Sequence, residues 1–121
     1  MKKMLLILSV IALSSLQAQA KDIVFKGTRM DATIIDVRTA QEFSGGHIEG
    51  AINIPYDQID VGIRSIKGLT KEAPILLYCR SGRRSAIARE SLEKLGFRRV
   101  LDGGGMETLI SNLKSCSTKQ C

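Results

Sequence analysis

The residues best placed to do chemistry lie together in Tyr78-Cys79-Arg80-Ser81-Gly82-Arg83-Arg84-Ser85. A cysteine follows the apolar run Ile75-Leu76-Leu77 and opens a short loop carrying three arginines and a glycine. Gly82 can take a positive φ without steric cost, which lets the loop curl around the sulfur. Successive N–H groups in such a curl converge into an anion-binding nest, and a helix starting behind it adds the positive end of its dipole. Arg80, Arg83 and Arg84 add full positive charges. Each of these effects favours thiolate over thiol, so Cys79 is expected to be a low-pKa nucleophile. A merely structural cysteine at a strand end would leave three cations and a glycine within six residues without a packing reason.

The other residues with chemical potential read differently. His47 is the single histidine and the obvious general base for Cys79. It lies between Gly46 and Gly50 at a turn, however, and a thiolate already formed by the loop needs no base, so His47 is read as structural. Asp36, Arg38 and Glu42 could be taken for an acid–base set. An Arg and a Glu four apart around a strand-to-helix turn are better read as a structural ion pair. With one histidine and no C-x-x-C spacing, a zinc site is not expected. Three cysteines in an exported chain imply one pair and one free thiol. Cys116 and Cys121 stand close together in a polar tail and can pair with each other, which leaves Cys79 free.

These residues need elements to position them. Residues 1–20 have the pattern of a secretory signal: Lys2 and Lys3, an apolar core from Met4 to Leu13, and Ala18-Gln19-Ala20 as a small-x-small cleavage site. The core is too short to span a bilayer, for which about 20 residues are needed. The expected organisation is therefore a signal peptide over 1–20, one domain over 21–113 and a polar, cysteine-containing tail over 114–121. Removing residues 1–20 takes two lysines and no acid, so the formal charge falls from +6 to +4 over 101 residues. That length suits one domain with one modest core. The mild positive balance sits mainly at the Cys79 loop and Arg98-Arg99. With two Tyr, three Phe and no Trp, the chain lacks the broad basic face and stacking aromatics of a nucleic-acid protein, and a small anionic substrate explains the charge better.

Strand and helix patterns alternate along the chain. Strands are expected at Ile23–Phe25, Thr33–Val37, Ala51–Ile54, Pro74–Tyr78 and Val100–Leu101. Between them come helical segments over Thr39–Ser44, Tyr56–Ile66 (with Ile59, Ile63 and Ile66 on one face) and Arg84–Leu95 (with Ile87, Ala88, Leu92 and Leu95 on one face). Gly103-Gly104-Gly105 reads as a turn before a last helix over Met106–Leu113. The apolar fourth strand is the expected centre. The class is α/β, a mostly parallel sheet of roughly five strands with helices on both faces. In such sheets the site lies beyond the carboxyl ends of the strands, where Cys79 falls.

Three motifs in order, Asp36-Val37-Arg38 with Glu42-Phe43, then Gly46-His47-Ile48-x-Gly50-Ala51-x-Asn53-Ile54-Pro55, then Cys79-Arg80-x-Gly82-x-Arg84-Ser85, resemble the rhodanese family. The resemblance covers nearly all of residues 22–113, and the exported single-domain form is similar to the periplasmic thiosulfate sulfurtransferases of the phage-shock group. It implies a persulfide on Cys79, a loop from Arg80 through Ser81, Gly82, Arg83 and Arg84 to Ser85 whose amides surround the sulfur, and no metal or organic cofactor. It also favours structural roles for Asp36, Arg38 and Glu42. The implied donor is thiosulfate, and the implied acceptor is cyanide or a thiol. A periplasmic monomer is expected, with neither nucleic acid nor, after signal cleavage, membrane as a partner. Arg84 is expected to face the bound dianion, with Arg80 and Arg83 turned outward. Where many members carry a tryptophan in the final helix this chain has Leu109, which implies a more open pocket wall. Two rival classes are a partner-binding or sulfur-storing module without turnover, and a cysteine phosphatase or arsenate reductase. Phosphatase loops place their arginine six positions after the cysteine. Here that position is Ser85, and the shorter loop to Arg84 suits one sulfur atom better than a tetrahedral oxyanion.

Overall fold

The computed structural model describes residues 19–115. The chain starts with a hairpin: β1 (Lys21–Phe25) turns through Lys26-Gly27 into β2 (Thr28–Asp36), with Phe25 opposite Thr28. Both turn residues have positive φ, 48° and 79°, the geometry whose twist matches two antiparallel strands. The remaining elements are α1 (Ala40–Ser44), β3 (Ile52–Asn53), α2 (Ile59–Gly62) between two 3₁₀ turns, β4 (Ile75–Cys79), α3 (Arg83–Lys94), β5 (Val100–Gly105), α4 (Met106–Asn112) and β6 (Leu113–Ser115).

The sheet runs β5-β4-β2-β1-β6, with β3 also against β2. The pairs β2–β3, β2–β4 and β4–β5 are parallel, whereas β1 pairs antiparallel with β2 and β6. The mostly parallel α/β sheet expected from the sequence is present, with antiparallel additions at one side. The sequence pattern starts the second strand at Thr33, whereas the strand begins at Thr28 and closes a hairpin with β1. Residues 28–32 are largely polar and exposed, and give no apolar run to recognise. The expected tail over 114–121 is shortened by two residues, since Lys114 and Ser115 extend the sheet beside Val24 and Ile23.

β4 is buried along its whole length, and its side chains alternate between two cores. Ile75, Leu77 and Cys79 join Ile35, Val37, Ile59, Ile63, Ala88 and Leu92 on one face. Leu76 and Tyr78 join Ile23, Phe25, Ile34 and Leu109 on the other. In α3 the buried stripe is Ser85, Ala88 and Leu92, at spacings of three and four. Ile87, expected on that stripe, is turned one position (about 100°) away from Ala88 and is 38% exposed. Leu109, expected in a pocket wall, is instead fully buried in the second core.

Candidate active site

β4 delivers Cys79 to the carboxyl end of the sheet, and the chain then reverses into α3 through Arg80, Ser81 and Gly82. Gly82 has φ 101°, a conformation that only glycine takes at little cost, and its N–H points at Cys79 Sγ from 2.9 Å. The Ser85 hydroxyl lies 3.4 Å from the same sulfur. Burial by itself raises the Cys79 pKa. The Ser85 hydroxyl and the backbone amides of Ser85, Gly82 and Ser81 outweigh it, so the thiol lies below its ordinary value. Cys79 and Ser85 are fully buried, whereas Arg80 and Ser81 are exposed.

The floor beneath the loop is β5. Leu77 pairs with Asp102, but Cys79 pairs with Gly105, so β5 spends one extra residue in a bulge beneath the catalytic turn. Gly103-Gly104-Gly105 is thus strand rather than the expected turn; Gly104 has a φ of 74°, and Gly103 and Gly105 are glycine for a steric reason. A Cβ on Gly105 would stand 2.6 Å from the Arg80 carbonyl oxygen, and one on Gly103 2.8 Å from that of Leu77. The bulge aims Asp102 under the loop: its Oδ1 accepts hydrogen bonds from Ser85 Oγ at 2.7 Å and from the Gly104 N–H at 2.9 Å. Asp102 was missed from the sequence. A carboxylate at the carboxyl end of a strand, just before three glycines, was the signal available.

The charged partners differ from the sequence reading. Arg38 does not pair with Glu42. It sits in a bend ahead of Thr39, the N-cap of α1, so helical i,i+4 geometry does not apply to it. Its guanidinium closes instead on buried Asp36, with Nη2 2.7 Å from Oδ2, and also donates to the Gly46 carbonyl at 2.7 Å. Asn53 Nδ2 donates to the Asp36 and Arg38 carbonyls, fastening the same bend. Glu42 caps α1 through Thr39 and takes Arg84 as a two-pronged partner, at 2.7 and 3.0 Å. Arg84, expected to face a bound dianion, is therefore engaged by a carboxylate. Among the described residues neither Arg80 nor Arg83 is in an ion pair. His47 is exposed, stacks on Phe43 with ring centres 3.6 Å apart, and donates from Nδ1 to the Phe43 carbonyl at 2.9 Å. It braces the α1 turn.

Beside the loop opens a cleft of about 450 Å³ lined by Arg38, Gln41, Glu42, Arg80, Met106 and Glu107, with Gly45 and Gly46 at its rim. Tyr78, on the other face of β4 from Cys79, accepts the Ile48 N–H at 3.0 Å and ties that rim to the sheet. Cys116 and Cys121 lie outside the described residues, as do residues 1–18, so the tail pairing and most of the expected signal segment fall there.

Comparison with known proteins agrees with this geometry. The Rhodanese-like domain family matches residues 16–108. Thiosulfate sulfurtransferase PspE of Escherichia coli (strain K12) is 33% identical over 75 residues, covering 62% of this chain and 71% of that protein. The uncharacterized protein YqhL of Bacillus subtilis (strain 168) is 39% identical over 82 residues, covering 66% and 63%. The putative sulfur carrier protein YrkF of the same organism is 33% identical over 69 residues, which span 57% of this chain and 36% of YrkF. Among solved structures, a rhodanese with anions from E. coli superposes with TM-score 0.62 at 30% identity, over 69% of this chain and 98% of that one. The human single domain sulfurtransferase TSTD1 does so with TM-score 0.55 at 26% identity, over 65% and 81%. The loop that wraps Cys79, the parallel sheet that presents it and the match over residues 16–108 together make this chain a member of the rhodanese-like family of sulfurtransferases.

Proposed function

We propose that the chain is an exported thiosulfate sulfurtransferase that carries sulfur as a persulfide on Cys79 and passes it to cyanide or a thiol. One observation carries this reading: a buried sulfur that accepts the Gly82 N–H at 2.9 Å and is also stabilised as thiolate by the Ser85 hydroxyl and the Ser85 and Ser81 amides. The Cys79 thiolate attacks the outer sulfur of thiosulfate, the S–S bond breaks, and sulfite leaves with the bonding pair. The product, Cys–S–S⁻, keeps one negative charge, so no proton has to move. A second nucleophile then attacks the outer sulfur; cyanide leaves as thiocyanate, or a thiolate as its persulfide, and the Cys79 thiolate returns. Amides aimed at this charge cost no reorganisation when it moves. Arg80 raises the local concentration of the dianion at the cleft. Arg84, already held by Glu42, acts on the site through position and field.

A sulfur carrier without turnover is the second reading, and the likeness to YrkF favours it. Intact mass after thiosulfate addition, run beside a thiosulfate:cyanide assay, tests both. Turnover with a +32 Da intermediate on Cys79 supports the enzyme. A stable +32 Da species that cyanide does not discharge supports the carrier, and no added mass overturns both. The Ala18-Gln19-Ala20 site, followed by β1 from Lys21, supports export to the periplasm.

A further inference from the structure

We propose that Asp102 is a positioning residue that acts on the Cys79 sulfur through the Ser85 hydroxyl, which turns between the carboxylate and the sulfur as the sulfur gains and loses charge. The inference rests on Cys79 being the nucleophile of the proposed function. It starts from the count of partners around one oxygen. Ser85 Oγ lies 2.7 Å from Asp102 Oδ1, 3.0 Å from the Gly82 carbonyl and 3.4 Å from Cys79 Sγ. A hydroxyl has a single proton to donate, and Ser85 is fully buried, so water cannot supply a second.

The shortest and charge-assisted contact takes that proton while the sulfur is neutral. Ser85 then offers a lone pair to the sulfur, and a Cys79 thiol donates to it. When the thiol ionises, the hydroxyl turns to the thiolate and gives up Asp102, whose Oδ1 keeps the Gly104 N–H at 2.9 Å. In the persulfide the charge lies on the outer sulfur, the inner one is neutral again, and the hydroxyl returns to the carboxylate. Asp102 therefore competes with the thiolate for one donor. The β5 bulge, which places Asp102 under the loop, sets that competition.

The other charges around the loop come from separate elements. Arg84 of α3 is paired with Glu42 of α1, Arg38 after β2 is paired with Asp36, and Arg80 and Glu107 line the outer cleft. None of them touches the Ser85 hydroxyl, so exchanging Asp102 isolates the switch.

The test is the pH dependence of iodoacetamide alkylation of the full chain, with the Cys79 peptide quantified by mass spectrometry. It needs no sulfur donor, so it stands or falls apart from turnover. Asp102→Asn keeps the shape and an oxygen for Gly104 but removes the charge. It should shift the alkylation midpoint of Cys79 down by about one pH unit, the worth of one hydrogen bond to a charged group. Ser85→Ala should shift it up by about as much. In the double variant, Asp102→Asn should add nothing to Ser85→Ala, because its route to the sulfur is gone. A midpoint unmoved by Asp102→Asn overturns the proposal. So does an equal downward shift in the Ser85→Ala background, which would assign the effect to the carboxylate's field. If Asp102→Asn does not fold, Asp102→Ser supplies an uncharged acceptor for the same comparison.

Discussion

Glu42→Gln separates charge from shape at the edge of the site. Gln keeps an oxygen for the Thr39 N–H, so the cap of α1 survives while the ion pair to Arg84 does not. The Arg84 guanidinium, with a smaller share from Thr39 and against the opposing effect of burial, holds the Glu42 carboxyl at about 2, against an ordinary 4.5. A difference of that size sets a ceiling of about 3 kcal/mol on what the pair contributes. The two side chains are 23% and 25% exposed, so water screens them and about 1–2 kcal/mol is the realistic cost. For a domain of this size that lowers Tm by roughly 5–12 °C at pH 7. Because folding depresses this pKa, the stabilisation is complete above about 4.5 and is lost as the pH falls toward 2. Parent and variant melts should therefore draw together below pH 5 and meet only near pH 2. Freed Arg84 adds an unneutralised cation beside the cleft, so the thiosulfate KM should fall a few-fold at low salt and return to the parent value at high salt. A stability gap that stays constant from pH 7 to pH 3 would refute the electrostatic reasoning and place the cost in local packing.

Cys79→Ser should retain the melt of the parent and lose all thiosulfate:cyanide turnover; measurable turnover in the folded variant ends the persulfide mechanism. Arg80→Ala should raise the thiosulfate KM several-fold in a salt-sensitive way, whereas Arg83→Ala, exposed and outside the cleft lining, should change it little; steady-state kinetics at two ionic strengths decides the order. Gly105→Ala puts a methyl group against the Arg80 carbonyl, so turnover should drop at least tenfold, with the loop displaced more than the core is destabilised; parent-like kinetics would show that the loop yields freely. N-terminal sequencing of the exported protein should begin at Lys21, and non-reducing peptide mapping should find Cys116 joined to Cys121; a Cys79 disulfide in that map would instead make the site redox-regulated.

Legibility followed the physical range of each signal. The β4 run could be read because five buried apolar residues have no other use in a chain this short, and the Cys79 loop because glycine and cations cluster there. His47 sits at the turn that its flanking glycines mark, stacked on Phe43 and bonded to the Phe43 carbonyl. The hairpin was hidden because Thr28-Arg29-Met30-Asp31 mixes polar residues on an exposed edge, and Lys-Gly is a weaker turn signal than Asn-Gly. Ion-pair partners were not legible at all. Charge types are visible in a sequence, but whether Arg38 reaches two residues back or four ahead depends on the bend at Arg38 itself, just before the Thr39 cap. The Glu42–Arg84 pair spans 42 positions, which local spacing cannot reveal. Asp102 was hidden because its role depends on a register shift in β5, and bulges leave little trace beyond glycine.

The arginine count overstated the field at the sulfur. Of the four arginines near the loop, two are matched by carboxylates, Arg38 by Asp36 and Arg84 by Glu42, while Arg83 lies exposed and outside the cleft lining. What remains at the cleft is Arg80, and what holds the sulfur is the Ser85 hydroxyl together with the amides of Ser85, Gly82 and Ser81. Such a site holds negative charge on one sulfur without a side-chain cation in contact, because its N–H groups are fixed by the backbone before the charge arrives. The paired charges then serve to keep the frame still. Arg38 locks the β2–α1 bend onto Gly46, and Arg84 ties the first turn of α3 to α1, so the two walls of the cleft are joined across the loop that opens between them.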